Sequence, residues 1–166
     1  MGGILDSARF KYRLSEQLGC SPNDLQGQVI GGHGDTTMIP LINHATYNSM
    51  PVTQFLTQEQ QEYVVAETMV GGKTLTGLIG TSAWYAPGAA VSSLVHSIAC
   101  DHNKVFPCSA LLEGEYGLSD ICIGVPVVLG KNGIKEIIEL DLNPEDLAHL
   151  TESADGVKKT NSLLTF

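Results

Sequence analysis

Ile121-Cys122-Ile123-Gly124-Val125-Pro126-Val127-Val128-Leu129-Gly130-Lys131-Asn132-Gly133-Ile134-Lys135-Glu136-Ile137-Ile138-Glu139-Leu140 is the stretch that decides the fold class. Two runs rich in β-branched residues, Ile121 to Leu129 and Ile134 to Leu140, flank Gly130-Lys131-Asn132-Gly133, which reads as a hairpin turn. Upstream, Val105 to Leu112 carries a similar strand pattern, so the three runs predict a meander. Strands joined by hairpins, with helical segments on either side in sequence, predict an α+β fold with a largely antiparallel sheet and packed helices rather than a doubly wound parallel one.

Working outward from this core, the final helix opens at Asn143-Pro144-Glu145-Asp146, which combines a cap, a first-turn proline and acidic residues at a helix N-terminus. Leu147, Leu150, Ala154 and Val157 form its apolar stripe. Ahead of the meander, Pro87 suits the first turn of a helix whose Ala89, Ala90, Val91, Leu94, Val95 and Ile98 predict burial. Thr57 and Gln60 have the spacing of a capping box, opening a helix that is expected to falter at Gly71-Gly72, with a second piece over Thr74 to Ile79. Near the start, Leu5, Ala8, Tyr12 and Leu18 recur at helical spacing before Gly19. Leu25 to Ile30 then reads as a strand running into the turn Gly31-Gly32-His33-Gly34-Asp35, followed by extended pieces over Met38 to Thr46 and near Pro51. Neither a repeat nor a linker interrupts residues 1–166, so a single domain is expected.

Bulk properties exclude several function classes. With 43% hydrophobic and 16% charged residues the composition is that of a globular chain. A net charge of -9 and scattered basic residues argue against a nucleic-acid partner. No apolar run is long enough to span a bilayer, and the opening residues lack a secretory pattern, so a cytoplasmic location is expected. Cys20, Cys100, Cys108 and Cys122 show no paired spacing and read as free thiols.

The chemistry concentrates at two places. Asp6 and Arg9, three apart on the first helix, emerge from nearly one face, a spacing shared by a two-residue site and by a surface ion pair. His33 stands between glycines at a strand end, where it can reach a ligand, and histidine is the usual acid or base near neutral pH. Glycine-flanked histidines also serve as plain turn residues. Asp35 and His44 offer His33 no metal set at a recognised spacing, and no metal is expected; His96, His102 and His149 read as packing or surface residues. Gly71-Gly72-Lys73-Thr74 fails as a phosphate loop because Glu67 stands where glycine is required. Gly-x-Ser-x-Gly is missing, which removes the serine-hydrolase elbow, and so is Gly-x-Gly-x-x-Gly, so the chain carries no dinucleotide fold of its own.

Read together, Gly3-Ile4-Leu5-Asp6-Ser7-Ala8-Arg9-Phe10 and Ile30-Gly31-Gly32-His33-Gly34-Asp35 resemble the paired signatures of the lactate/malate dehydrogenase family. The likeness continues through Gly80-Thr81-Ser82-Ala83-Trp84-Tyr85-Ala86-Pro87, Leu112-Glu113-Gly114-Glu115-Tyr116-Gly117 and Gly124-Val125-Pro126-Val127-Val128-Leu129-Gly130, and it covers essentially the whole chain. The wording is nearest the malate-oxidising bacterial branch.

The resemblance implies the family's C-terminal catalytic, substrate-binding domain, interconverting malate and oxaloacetate with NAD in a longer enzyme of the tricarboxylic acid cycle. It implies that His33 transfers the proton and is this chain's contact with the cofactor, that Asp6 is the carboxylate partner of His33, and that Arg9 clamps the substrate carboxylate. Ser82 and Ala83 are implied to lie near the substrate. It also implies a homo-oligomer, dimer or tetramer. The family's N-terminal nucleotide-binding domain, with its cofactor glycines, mobile arginine loop and asparagine near the nicotinamide, has no counterpart here, so the isolated domain is expected to be inactive. The arginine loop carries the usual distinction between malate and lactate, so the malate assignment rests on overall wording. The competing reading, from another class, is a structural or association module without enzyme function.

Overall fold

The structure, a computed structural model, describes residues 1–164. Its organising element is the meander: β6 (Lys104–Glu113), β7 (Ser119–Gly130) and β8 (Gly133–Ile137) pair antiparallel, β7 lying between the other two. The hairpin turns at Lys131-Asn132, and Gly133 follows with φ of 100°, a left-handed conformation that favours glycine. β8 stops at Ile137, short of the predicted Leu140. The alternate residues Ile121, Ile123, Val125, Val127 and Leu129 of β7 are all buried, as the period of two requires of a strand face turned to a core.

β7 also joins β2 (Val29–Gly31) through the single antiparallel pair Gly31 and Gly124, and β2 pairs β3 (Met38–Pro40). A Cβ on Gly124 would stand 2.5 Å from the Gly31 carbonyl, so this crossing depends on a bare backbone. Every strand pairing is antiparallel, giving the five-stranded sheet its α+β character. The predicted strand Leu25 to Ile30 divides. β1 (Leu25–Gln26) pairs β4 (Thr46–Tyr47), which pairs β5 (Met50–Pro51), in a small separate sheet, because the two halves find different partners on either side of Gly27-Gln28. The expected extended piece Met38 to Thr46 is likewise interrupted by a 3-10 turn at Ile42–His44.

α1 (Gly2–Leu18) begins earlier than predicted and ends at Gly19, whose φ of 65° turns the chain so that the Cys20 N–H reaches back to the Ser15 carbonyl at 3.2 Å. Its buried face is Leu5, Asp6, Ser7, Phe10, Leu14 and Ser15 rather than the predicted stripe, since Ala8 and Tyr12 are exposed. Phe10 and Leu14 enter one core cluster with Leu25, Val29, Val52 and Val64. A second cluster joins the sheet to α4 (Pro144–Asn161) through Leu150 and Ala154, while Leu147 stays exposed. Asn143 caps α4 by accepting from the Asp146 N–H at 2.7 Å.

Two expectations about the remaining helices are corrected. α2 (Gln58–Ile79) opens with the Thr57–Gln60 capping box and runs unbroken through Gly71-Gly72. Glycine in a helix costs about 0.5–1 kcal/mol relative to alanine, too little to break a long helix that packs on α1. α3 (Tyr85–Ala99) is not buried: only Ala90 and Ser97 are, while Leu94 and Ile98 are half-covered and Val91 and Val95 are exposed.

Candidate active site

Asp6, Arg9 and His33 meet where α1 crosses the end of β2. The Asp6 carboxylate, 1% exposed, accepts from Arg9 Nη1 through Oδ1 at 3.0 Å and faces His33 Nδ1 through Oδ2 at 2.5 Å, although His33 lies 27 positions away. A buried carboxylate without partners would be costly, and these two contacts supply them. Because an ionised carboxylate only accepts, the Asp6 contact selects the tautomer with hydrogen on Nδ1 and leaves the Nε2 lone pair available. No protein group among the described residues bonds Nε2, and the His33 side chain is 55% exposed. Arg9, 22% exposed, spends one N–H on Asp6; its Nη2 and Nε have no protein partner among the described residues.

The surrounding backbone fixes this geometry. Ser7, on the turn of α1 that carries Asp6, accepts from the Val29 N–H at 2.9 Å and so ties the helix to β2. Ser153 of α4 accepts from the Gly32 N–H at 2.9 Å and donates to the Thr37 carbonyl at 2.8 Å, holding both ends of the loop that presents His33. The Gly34 N–H bonds Thr37 Oγ1 at 3.0 Å within the same loop. Close approach does the rest: a Cβ on Gly2 would stand 2.8 Å from His33 Cγ, and one on Gly72 would stand 3.1 Å from Arg9 Nη1. The glycine pair that seemed a helix break is therefore where α2 makes room for Arg9.

Beside His33 lies a cavity of about 190 Å³ whose lining includes Gly2, Asp6, Gly32, Ser109, Cys122 and Gly124. Ser82 and Ala83 do not line it. They sit in the link between α2 and α3, Ser82 exposed and Ala83 half-buried, just after Gly80 ends α2 in a left-handed conformation. Nor do His33, Asp35 and His44 gather as a metal set; His44 Nε2 lies 3.2 Å from the Asp141 carbonyl. Ser7, Ser153, Gly2 and Gly72 carried no sequence signal of a role, since serines and glycines are common and their partners are distant.

This constellation can pass a proton through His33 and grip an anion through Arg9. A family profile described as lactate/malate dehydrogenase, alpha/beta C-terminal domain, matches residues 4–163. The chain belongs to that family. Among its relatives, the malate dehydrogenase of Bacteroides thetaiotaomicron is 63% identical over 99% of the chain, which covers 52% of that protein. Solved family structures agree in fold. A malate dehydrogenase from Salinibacter ruber, at 42% identity, superposes with a TM-score of 0.93 over 96% of the chain and 52% of its own. A lactate dehydrogenase from Eimeria maxima, determined with NADH and oxamate, gives 0.93 at 36% identity over 98% of the chain and 52% of its own. The chain thus spans about half the length of the lactate/malate dehydrogenase family members it matches.

Proposed function

We propose that this chain is the catalytic, substrate-binding domain of an enzyme interconverting malate and oxaloacetate with NAD and NADH. The observation that carries the reading is the buried Asp6 carboxylate holding His33 by Nδ1 while Nε2 stays open beside a cavity. In malate oxidation, neutral His33 accepts the hydroxyl proton at Nε2 as the carbon-bound hydrogen departs as hydride. In the reverse direction the imidazolium returns that proton to the carbonyl oxygen of oxaloacetate. Asp6 holds the ring in the required tautomer and stabilises the imidazolium. Arg9 offers free guanidinium N–H groups to a substrate carboxylate, a planar two-point grip that a lysine does not reproduce.

Bound NAD would supply the hydride acceptor. An antiparallel sheet without a glycine-rich phosphate turn gives the dinucleotide no seat of its own here, so His33 is this chain's contact toward the nicotinamide and the rest belongs to a separate nucleotide-binding domain. Ser82 and Ala83 flank the substrate once that domain is in place, their small side chains leaving it room. The same reading places the enzyme in the cytoplasm, in keeping with four unpaired thiols, as a dimer or tetramer. Malate is preferred over lactate because the relative at 63% identity is a malate dehydrogenase.

In the full-length enzyme, His33→Asn should lower turnover of oxaloacetate by a factor on the order of a hundred to ten thousand, with NADH affinity nearly unchanged. Stopped-flow turnover within a few-fold of the parent would remove His33 from the mechanism and favour a purely structural module.

A further inference from the structure

At the far end of α3 a second cluster of ligand-type side chains stands apart from Asp6, Arg9 and His33. His96 stands on the last turn of α3 and Cys100, four residues on, is its C-cap, and His96 Nδ1 lies 3.8 Å from Cys100 Sγ. His102 lies beyond the helix, yet its ring packs edge-on against that of His96 with centroids 5.0 Å apart. One ligand atom from each of the three lies within 4.8 Å of the others, and all three residues are exposed.

The backbone brings His102 back. The Cys100 N–H bonds the His96 carbonyl at 3.0 Å, the His102 N–H bonds the Ser97 carbonyl at 2.9 Å, and Asp101 between them takes a φ of 50°. This is the left-handed reversal that closes a helix C-terminus, here made by an aspartate rather than the usual glycine. Asp101 is held there: its Oδ1 accepts from the Lys131 N–H at 3.0 Å, and its carbonyl accepts from Asn103 Nδ2 at 2.9 Å. The turn that places His102 is therefore braced against the β7–β8 hairpin.

We propose that His96, Cys100 and His102 form a binding site for a borderline-soft divalent cation of the zinc type. Two imidazoles and a thiolate are donors that such an ion favours and that oxygen-seeking cations do not. A tetrahedral ion with bonds of about 2.0–2.3 Å needs ligand atoms roughly 3.3–3.6 Å apart. His96 Nδ1 and Cys100 Sγ, 3.8 Å apart, stand close to that spacing, and all three ligand side chains are exposed. Binding exchanges the thiol proton for the metal, the proton leaving to water, so affinity falls as pH falls. Three protein ligands leave the fourth position to water. The linear pattern escaped the sequence reading because the third ligand is delivered by the helix-ending reversal and not by a familiar zinc spacing.

The test uses the purified, reduced protein freed of metal with a chelator and titrated with Co2+, then Zn2+. The expected result is one equivalent of Co2+ bound with a thiolate-to-cobalt charge-transfer absorption, which Zn2+ then abolishes. Cys100→Ser removes the absorption, Cys122→Ser keeps it, and His102→Ala weakens Co2+ binding by about tenfold or more, since partners outside the coordination sphere already cost that much. A protein that shows no such absorption at saturating Co2+, or an absorption that survives Cys100→Ser, overturns the proposal. Neither outcome bears on the proton chemistry of His33.

Discussion

The corner where α1, β2 and α4 meet and the outer face of α2 and α3 are built on opposite terms. In the corner, polar groups are buried and satisfied within the chain: Asp6 by Arg9 and His33, the Val29 N–H by Ser7, the Gly32 N–H by Ser153. On the outer face, apolar groups stand in the open, Leu78 at 80% exposure and Tyr85 at 88%, with Trp84 edge-on against its neighbour Tyr85. The first region has its geometry fixed by contacts inside the chain. The second, which carries Ser82 and Ala83, stands largely open to solvent. The Asp6, Arg9 and His33 arrangement is thus complete within the chain, whereas the surroundings of Ser82 and Ala83 are not.

The sharpest way to break this contrast is at Arg9. Arg9→Lys in the full-length enzyme keeps the charge and removes the two-point grip, and a misplacement of about 1 Å at a reacting centre costs roughly a hundredfold. Steady-state kinetics with oxaloacetate should show a raised KM and a lowered kcat together; unchanged values would reduce Arg9 to a surface partner of Asp6. Gly2→Ala should follow, at about a tenfold loss in kcat, because its methyl group displaces the His33 ring. Gly156→Ala on α4 is its control, since a Cβ there would meet Thr37 Cγ2 at an ordinary 3.9 Å and should leave turnover unchanged. If both alanine variants behave alike, the corner is looser than its distances imply.

The smallest effect is expected on the outer face. In the 166-residue chain, Leu78→Lys should shift urea stability by no more than about 0.5 kcal/mol, whereas Phe10→Ala, from the fully buried core, should cost about 3–5 kcal/mol. A Leu78→Lys loss comparable to that of Phe10→Ala would mean that the face is covered already.

The same contrast explains what could be read from the sequence. Caps, the Gly19 stop and the β7–β8 hairpin are local, so Asn143, Thr57 and Gly130-Lys131-Asn132-Gly133 announced them. The Asp6–His33 contact is not local, and only the family resemblance pointed to it. Ser153 reaches Gly32 from 121 positions away, which no periodicity encodes. Gly71-Gly72 misled because local propensity favours a break, whereas packing on α1 and room for Arg9 keep the helix intact. The apolar pattern of α3 predicted a burial that the structure does not show, because apolar side chains do not state whether this chain or another one covers them.

The proposed division of labour gives these residues the proton and substrate half of the reaction and leaves the hydride carrier to a nucleotide-binding domain. Its most direct test is the absorbance of NADH mixed with oxaloacetate and the purified 166-residue chain, shown by mass spectrometry to be free of full-length enzyme. Correct positioning of reactants supplies roughly 7–11 kcal/mol of barrier reduction, and without a nucleotide-binding domain the absorbance should stay flat. A steady decline that disappears on His33→Asn would overturn that division.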